Sequence, residues 1–217
     1  MTRAAAAALV LVAVAAVAVA GCGSGEMTSQ ARPAPEFTRV RAEGAIDVVV
    51  QAGAPGRIVV RAGEKVLDDV VTEVEGDTLV VGTESRGLVI GPDGFGGARV
   101  VVDAPRLEGA SSEGSSDLEV AGLEGGPLEL VVEGSGDLRA RGRVADLAAS
   151  VEGSGEVDLS DLAANRVAVE VEGSGDADVH AIDALRAVVE GSGSISYRGN
   201  PRIEVARTEG SGDIERE

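Results

Sequence analysis

Apolar and polar residues alternate along most of the chain after residue 36. In the second half the alternation is periodic: a run such as Val167, Val169 and Val171 ends at a Glu-Gly-Ser-Gly motif, and another alternating run follows. Alternation of this kind predicts β-strands that bury one face. The pattern therefore predicts an all-β fold, and it contains no amphipathic helix of useful length.

The motif recurs six times between residue 113 and the C-terminus, once as Glu-Gly-Ser-Ser. Its glutamates are separated by 20, 19, 20, 18 and 19 residues: Glu113, Glu133, Glu152, Glu172, Glu190 and Glu209. A single strand pair cannot bury its apolar face alone, but stacked coils bury a continuous core, so a fixed period of this size is typical of a solenoid. The sequence predicts a single-stranded β-helix, or β-solenoid, with coils of about 20 residues.

The glycine after each repeat glutamate is expected at a tight corner, where positive φ or close stacking of coils excludes a side chain. The expected corner glycines are Gly134, Gly153, Gly173, Gly191 and Gly210. Two upstream pairs, Glu43-Gly44 and Glu75-Gly76, resemble the same corner. In the last unit the segment 202–207 breaks the alternation, as a terminal coil does when it closes a stack.

Between residues 36 and 102 short apolar runs alternate with turn signals. The runs predict strands at 46–50, 57–61, 66–74, 78–81 and 100–102, with a hairpin at residues 75–77 and a loop at 91–97. Residues 22–35 are rich in Gly, Ser, Ala and Pro and lack an apolar period, which predicts a flexible tether. The ordered domain is thus expected to span residues 36–217, with regular repeats from 113.

Residues 1–21 have the layout of a signal peptide: Arg3 near the start, an unbroken apolar segment, and small residues before Cys22, the only cysteine. Small residues before a lone cysteine resemble the lipobox of bacterial lipoproteins, whose cysteine is lipidated and becomes the new N-terminus. The resemblance implies an exported protein anchored to a cell-envelope membrane through Cys22. The alternatives are an ordinary secretory signal with an incidental cysteine, or an uncleaved anchor.

Charge and composition exclude several functions. The formal net charge is −18, and nucleic-acid binding requires a basic surface, so no nucleic-acid partner is expected. His180 is the only histidine, which leaves little for a histidine-based triad. The chain has no tryptophan and only three other aromatic residues, so it also lacks the stacking platforms of most carbohydrate clefts. We therefore expect a protein that is not an enzyme.

Stacking would align the acidic residues of the motif in two files. The glutamate file contains the six repeat glutamates, and the aspartate file contains Asp117, Asp137, Glu156, Asp176 and Asp213. Like charges at coil spacing repel, and Ca²⁺, which prefers carboxylate oxygens, could offset that repulsion. The candidate metal ligands are Glu133, Asp137, Glu152, Glu156, Glu172 and Asp176. The alternative is a solvated acidic edge, relieved by arginines such as Arg139, Arg141 and Arg198, with no cofactor.

Four further segments resemble one bacterial family: Phe-X-X-Val (37–40), Gly-Asp-Thr-Leu-Val-Val (76–81), Val-Val-Val-Asp-Ala-Pro-Arg-Leu (100–107) and Ile-Ser-Tyr-Arg-Gly-Asn-Pro (195–201). Together with the repeats they are similar to the putative auto-transporter adhesin, head GIN domain family. The resemblance implies a β-helix-like fold in the cell envelope and no established catalytic residues. We expect a lipid-anchored structural or adhesive module with an unidentified envelope partner. The alternative is a cation-binding or glycan-binding module.

Overall fold

The computed structural model describes residues 16–17, 27–83 and 98–217. Most of these residues form a β-solenoid, in which about five turns follow one another with a spacing of about 20 residues. The predicted fold class is confirmed. The strands are β1 (Ala16–Val17), β2 (Met27–Arg32), β3 (Arg39–Gly44), β4 (Asp47–Ala52), β5 (Arg57–Gly63), β6 (Val70–Glu75), β7 (Thr78–Thr83), β8 (Arg99–Ala104), β9 (Gly109–Gly114), β10 (Leu118–Glu124), β11 (Pro127–Gly134), β12 (Leu138–Gly153), β13 (Glu156–Gly173), β14 (Asp176–Gly191), β15 (Ser194–Gly199), β16 (Arg202–Gly210) and β17 (Asp213–Arg216). One short helix, α1 (Glu64–Leu67), lies between β5 and β6.

Each coil contributes one strand to each of two parallel columns. The first column holds the strands that end at a corner: β7, β3, β9, β11, the second halves of β12, β13 and β14, and β16. The second column holds the strands that follow a corner: β8, β4, β10, the first halves of β12, β13 and β14, then β15 and β17. Alternate side chains of both columns point inward and form one continuous core of Val, Leu, Ile and Ala.

The order of coils in space differs from their order along the chain. The coil of β3 and β4 comes first in sequence, but it pairs with β7 and β8 on one side and with β9 and β10 on the other. The second coil in sequence, β7 and β8, therefore lies on one side of the first coil. The chain then crosses to the other side of the first coil, where β9 and β10 begin the regular stack. Glu43-Gly44 is in register with Glu113-Gly114, so it does belong to the corner column. Gly76 does not: it begins the two-residue loop of the predicted β6–β7 hairpin, with φ of +66°.

Antiparallel strands and a helix close the N-terminal end of the stack. Strand β5 pairs with β8 and then with β2, and β6 pairs with β7. The Arg32 guanidinium reaches from β2, on the side of the second column, to α1 and β6, on the side of the first. It donates hydrogen bonds to the carbonyl of Leu67 at 2.9 Å and of Val70 at 2.5 Å. Burial lowers the pKa of Arg32 because the charged form loses water. Leu67 of α1 is buried against the same end of the core.

Two segments differ from the sequence expectation. Residues 27–32 form β2 rather than part of a flexible tether, because β5 offers an antiparallel edge that six residues of any modest β propensity can occupy. Residues 66–74 are not one strand: α1 and a turn occupy 64–69, and β6 begins at Val70. In both places a long-range contact decides the structure, and local composition does not report it.

Several expectations concern residues outside the described part of the chain. Cys22 and the loop at 91–97 lie there, as does most of the expected signal peptide; only Ala16–Val17 is described, as a two-residue strand beside β2. Signal peptide, lipidation and domain limits therefore remain predictions. Within the described ranges no helix is both long and apolar enough to cross a membrane.

The corner packs backbone directly on backbone. Each of the five expected corner glycines has φ between +115° and +133°. A Cβ placed on any of them would lie 2.1–2.5 Å from the carbonyl oxygen of the corner glycine in the preceding coil. That same oxygen accepts a hydrogen bond from the serine N–H of the next coil at 2.7–2.8 Å, as Gly134 O does from Ser154 N. A side chain at the corner would have to separate the coils and break this bond.

We predict that Gly153→Ala destabilises the fold by about 2–4 kcal/mol, since it adds both left-handed strain and a backbone clash. Gly125→Ala, at φ of +65° with open space around it, isolates the strain and should cost about 1 kcal/mol. Gly63→Ala, which meets nothing within 4 Å and has ordinary φ, is the matched control. Denaturant unfolding measures all three, and equal effects at 153 and 63 would contradict the corner geometry.

Candidate functional site

Both acidic files exist as rows on the outside of the solenoid, and Ser194 interrupts the aspartate file. The six repeat glutamates are paired in register from coil to coil, and Glu43 extends the glutamate file by one coil. In the aspartate file Glu156 pairs with Asp176, Asp176 with Ser194, and Ser194 with Asp213. The two files flank the corner, so the structure brings together the residues that the sequence aligned.

Arginines neutralise the glutamate file at its ends. Arg41 places Nε 2.9 Å from Glu43 and 3.7 Å from Glu113. Arg207 places Nη2 3.2 Å from both Glu190 and Glu209. Among the described residues no arginine lies within 4 Å of the three central glutamates: Glu133, Glu152 and Glu172. The middle of the file is therefore a row of carboxylates without an arginine partner among the described residues.

Of the arginines expected to relieve the acidic edge, one does so. Arg139 contacts Asp137 at 3.3 Å, whereas Arg141 contacts Glu119 and Arg198 contacts Glu217, neither of which belongs to a file. Sequence reasoning missed Arg41 and Arg207. The signal was available, because both stand two residues before a glutamate of the file and so project from the same face of the strand.

The aspartate file has a structural task. Asp117 Oδ1 accepts a hydrogen bond from the N–H of Asp137 at 3.1 Å, and Asp137 Oδ1 accepts one from Glu156 at 3.4 Å. Asp176 Oδ1 accepts two from Ser194, one from its N–H at 2.9 Å and one from its hydroxyl at 2.5 Å. These carboxylates therefore join adjacent coils, and a serine can replace an acid at 194 because it still donates to the acid below.

Ser116, the one departure from the second motif glycine, also has a defined contact. Its side chain is fully buried, and its hydroxyl accepts a hydrogen bond from the N–H of Ile46 at 3.3 Å. Its carbonyl accepts one from the Ser112 hydroxyl at 2.5 Å. The serine thus satisfies a backbone donor of the first coil, whose corner has a different sequence from the repeats.

Two neighbouring acids outside the files titrate differently. Asp158 and Asp178 are paired in register on β13 and β14. Hydrogen bonds from the Ser160 hydroxyl at 2.7 Å and from its N–H at 3.1 Å lower the pKa of Asp158. Desolvation raises the pKa of Asp178, and the nearby charges of Glu217 and Asp158 raise it further. One acid is thus stabilised in its charged form and the other is destabilised.

No group of three or more His, Cys, Asp or Glu side chains in residues 27–83 and 98–217 is arranged to hold a metal ion. The candidate ligands stand in two rows on either side of the corner. Within each row neighbours are one coil apart. The calcium hypothesis therefore stays a prediction that solution measurements must decide.

The outward face of the first column is shallow where the coils are most regular. Ala148, Ser150 and Ala168 form its floor, with Glu129 and Arg186 at its margins, around a depression of about 200 Å³. At its N-terminal side Arg39 crosses above Gly109 to bind Glu129 at 2.7 Å, and a Cβ on Gly109 would lie 2.8 Å from the guanidinium. The strands of the first column thus present a shallow, extended outer face several coils long.

Comparison with known proteins supports the sequence resemblance. The family described as "Putative auto-transporter adhesin, head GIN domain" matches residues 36–201. A putative adhesin from Bacteroides fragilis shares the fold with a TM-score of 0.72 at 21% identity, over 89% of this chain and 98% of that one. A putative adhesin from Parabacteroides distasonis has a TM-score of 0.52 at 20% identity, over 90% and 98%. At these identities the likeness establishes the fold alone. No protein with a curated function matches the sequence.

We predict opposite pH effects for two matched substitutions. Because the folded-state pKa of Asp158 is lowered, its carboxylate stabilises the fold above the unfolded pKa of about 4, and this contribution is lost as pH falls through the folded pKa. Asp158→Asn should therefore lower Tm at pH 7 and have little effect in acid.

Asp178→Asn should have the opposite effect, because the raised pKa of Asp178 means that its charged form lowers the stability of the fold at neutral pH. Asp178→Asn should raise Tm at pH 7, and the gain should shrink as pH falls and the wild-type carboxyl becomes protonated. Thermal melts from pH 7 down to about pH 3 test both. Shifts of the same sign for the two variants at pH 7 would contradict the environments assigned to these acids.

Proposed function

Since this chain belongs to the head GIN domain family of putative auto-transporter adhesins, we propose that it is a lipid-anchored module of the cell envelope with an adhesive, non-catalytic role. The observation that carries the proposal is the extended, flat outer face of a rigid solenoid in a family described as adhesins. Such a face binds an extended partner by shape rather than within a cleft. The net charge of −18 directs it away from anionic lipid and nucleic acid.

The lipid anchor is supported by the sequence around Cys22, and the fold is consistent with it. Cys22 precedes β2 by five residues, a span of at most about 18 Å. Strand β2 lies in the closed N-terminal end of the stack, so an acylated Cys22 would hold that end beside the membrane. The regular coils would then project away from the lipid, towards partners in the envelope or outside the cell.

We predict that Cys22→Ala abolishes acylation and leaves the protein unprocessed or released from the membrane fraction, because no other cysteine can take its place. Fractionation, N-terminal sequencing and mass spectrometry of the isolated protein measure this.

Cells that produce the wild type should also adhere more strongly to surfaces or to each other than cells without it. A processed Cys22→Ala protein still found in the membrane pellet would refute the anchor, and unchanged adhesion would refute the role.

A second candidate role is cation binding by the central glutamates, favoured by the absence of any arginine within 4 Å of Glu133, Glu152 and Glu172 among the described residues. If Ca²⁺ binds there, millimolar calcium should raise Tm above the value in magnesium at equal ionic strength. Glu152→Gln, at the centre of the row, should remove the difference, whereas Glu215→Gln outside the files should not. Equal melts in the two cations would refute this role.

A further inference from the structure

The two ends of the solenoid are unlike each other. At the N-terminal end α1, Arg32 and the antiparallel strands cover the core. At the C-terminal end β16 pairs only with β14 and β17 only with β15, within the part of the chain that the structure describes, so one edge of each last strand is unpaired. Ile203, in line with the buried Leu185, is 43% exposed. Within the described residues, β16 and β17 therefore leave the apolar interior at this end of the stack partly uncovered.

The unpaired edge of β16 carries charges in alternating order. Its charged residues are Arg202, Glu204, Arg207 and Glu209, and all are exposed. A bulge adds Glu204 to the strand, because Ile203 pairs with Leu185 and Val205 already pairs with Arg186. Glu204 and Val205 thus share one position opposite β14. Because Glu204 and Val205 count as one position, Ala206 lies midway between Arg202 and Glu209. For the same reason it also lies midway between Glu204 and Arg207.

From this order we infer that the C-terminal coil is a homophilic docking surface, on which β16 pairs antiparallel with β16 of a second copy about a two-fold axis at Ala206. In that register Arg202 of each copy faces Glu209 of the other. Glu204 faces Arg207 on the same outer side. On the inner side Ile203 faces Thr208, so the apolar side chain left exposed in one copy is covered by the other. The inference rests on the proposed adhesive role and adds to the outer face of the first column a second contact surface, whose partner is another copy of this chain.

The charge pattern selects this register over its neighbours. A register that differs by two positions keeps the charged side chains of both strands on the outer side, whereas a shift of one would move those of one strand to the inner side. A shift of two in one direction places Arg207 opposite Arg207 and Glu204 opposite Glu209. The opposite shift places Arg202 opposite Arg207 and Glu204 opposite itself. Both alternatives set like charges against each other, which destabilises cross-strand pairing.

The ion pairs already present at this edge do not oppose docking. Arg202 contacts Glu204 and Arg207 contacts Glu190 and Glu209, but the two arginine side chains are 78% and 56% exposed. Exposed pairs of this kind contribute little in water. Each arginine can therefore share its partner with a second copy, whose arrival removes part of the surrounding solvent.

A two-fold contact closes the assembly at two copies, because each copy uses its single β16 edge once. The contact also places the two N-termini at opposite ends of the pair. Copies anchored through Cys22 in two different membranes would thus meet at their outer ends, which is the geometry of adhesion between like cells.

Cysteine crosslinking in a Cys22→Ser chain tests the register. Ala206→Cys puts two cysteines opposite each other at the axis and should give a disulfide-linked dimer under mild oxidation. Thr208→Cys is the matched control, because its two copies would lie roughly 13 Å apart and should remain unlinked. A monomeric Ala206→Cys protein, or equal crosslinking at both positions, would overturn the inference.

Charge reversal tests the pairing without a covalent link. In sedimentation equilibrium E204R should weaken the dimer about tenfold, because it places arginines opposite each other twice per dimer. The double variant E204R/R207E should restore the dimer, since it exchanges the two charges of a pair. E170R, an equally exposed reversal in the middle of the stack, should leave association unchanged. Failure of the double variant to recover would overturn the inference, as would a wild type that stays monomeric at high concentration.

Beads coated through the N-terminal end separate this inference from the proposed function. Wild-type and double-variant beads should cluster, and E204R beads should not. If the protein stays monomeric in solution while the coated beads still bind other surfaces, the homophilic contact is overturned and the adhesive role stands. Dimers in solution, with cell adhesion that does not depend on the protein, would leave the contact in place and refute the role.

Discussion

Backbone contact at the corner is the constraint on which the rest of the structure depends. The corner glycine of one coil lies so close to the carbonyl of the coil below that no Cβ fits, and that carbonyl accepts the next serine N–H at 2.7–2.8 Å. Because this contact fixes the height of each coil, it also fixes the register of both strand columns. Valines and leucines of successive coils then fall in line and bury one core.

Electrostatics follows from the same register. Once the corner is fixed, motif acids of successive coils must stand in rows, and repulsion along each row has to be offset. The aspartate file offsets it by accepting hydrogen bonds from N–H groups of the next coil, so its carboxylates contribute to stacking. Arg41 and Arg207 neutralise the glutamate file at its two ends, and within the described residues its three central glutamates have no arginine within 4 Å. The acidity of the surface is thus a consequence of the repeat, and it shapes which partners can approach.

The regular half of the fold could be predicted from the sequence because its pairing is local in the repeat. A period near 20 residues and a motif glycine identify each corner, and every coil contacts the one before and after it. The first half could not be predicted in the same way. The place of β3 and β4 between two later coils, the addition of β2 to β5 and the reach of Arg32 across the core all depend on residues far apart in sequence. The roles of Ser116 and Ser194 likewise required the position of the neighbouring coil.

Hydrogen exchange at the corner serines measures whether the corner bonds hold the coils in register. Ser135, Ser154, Ser174 and Ser192 have exposed side chains, yet each N–H is bonded to the glycine carbonyl of the preceding coil. If these bonds hold the coils in register, the four amides should exchange only through sub-global or global opening, as slowly as those of the buried strands. Exchange at the fast rate of unbonded loop amides would show that the corner does not hold the stack, and would contradict the account.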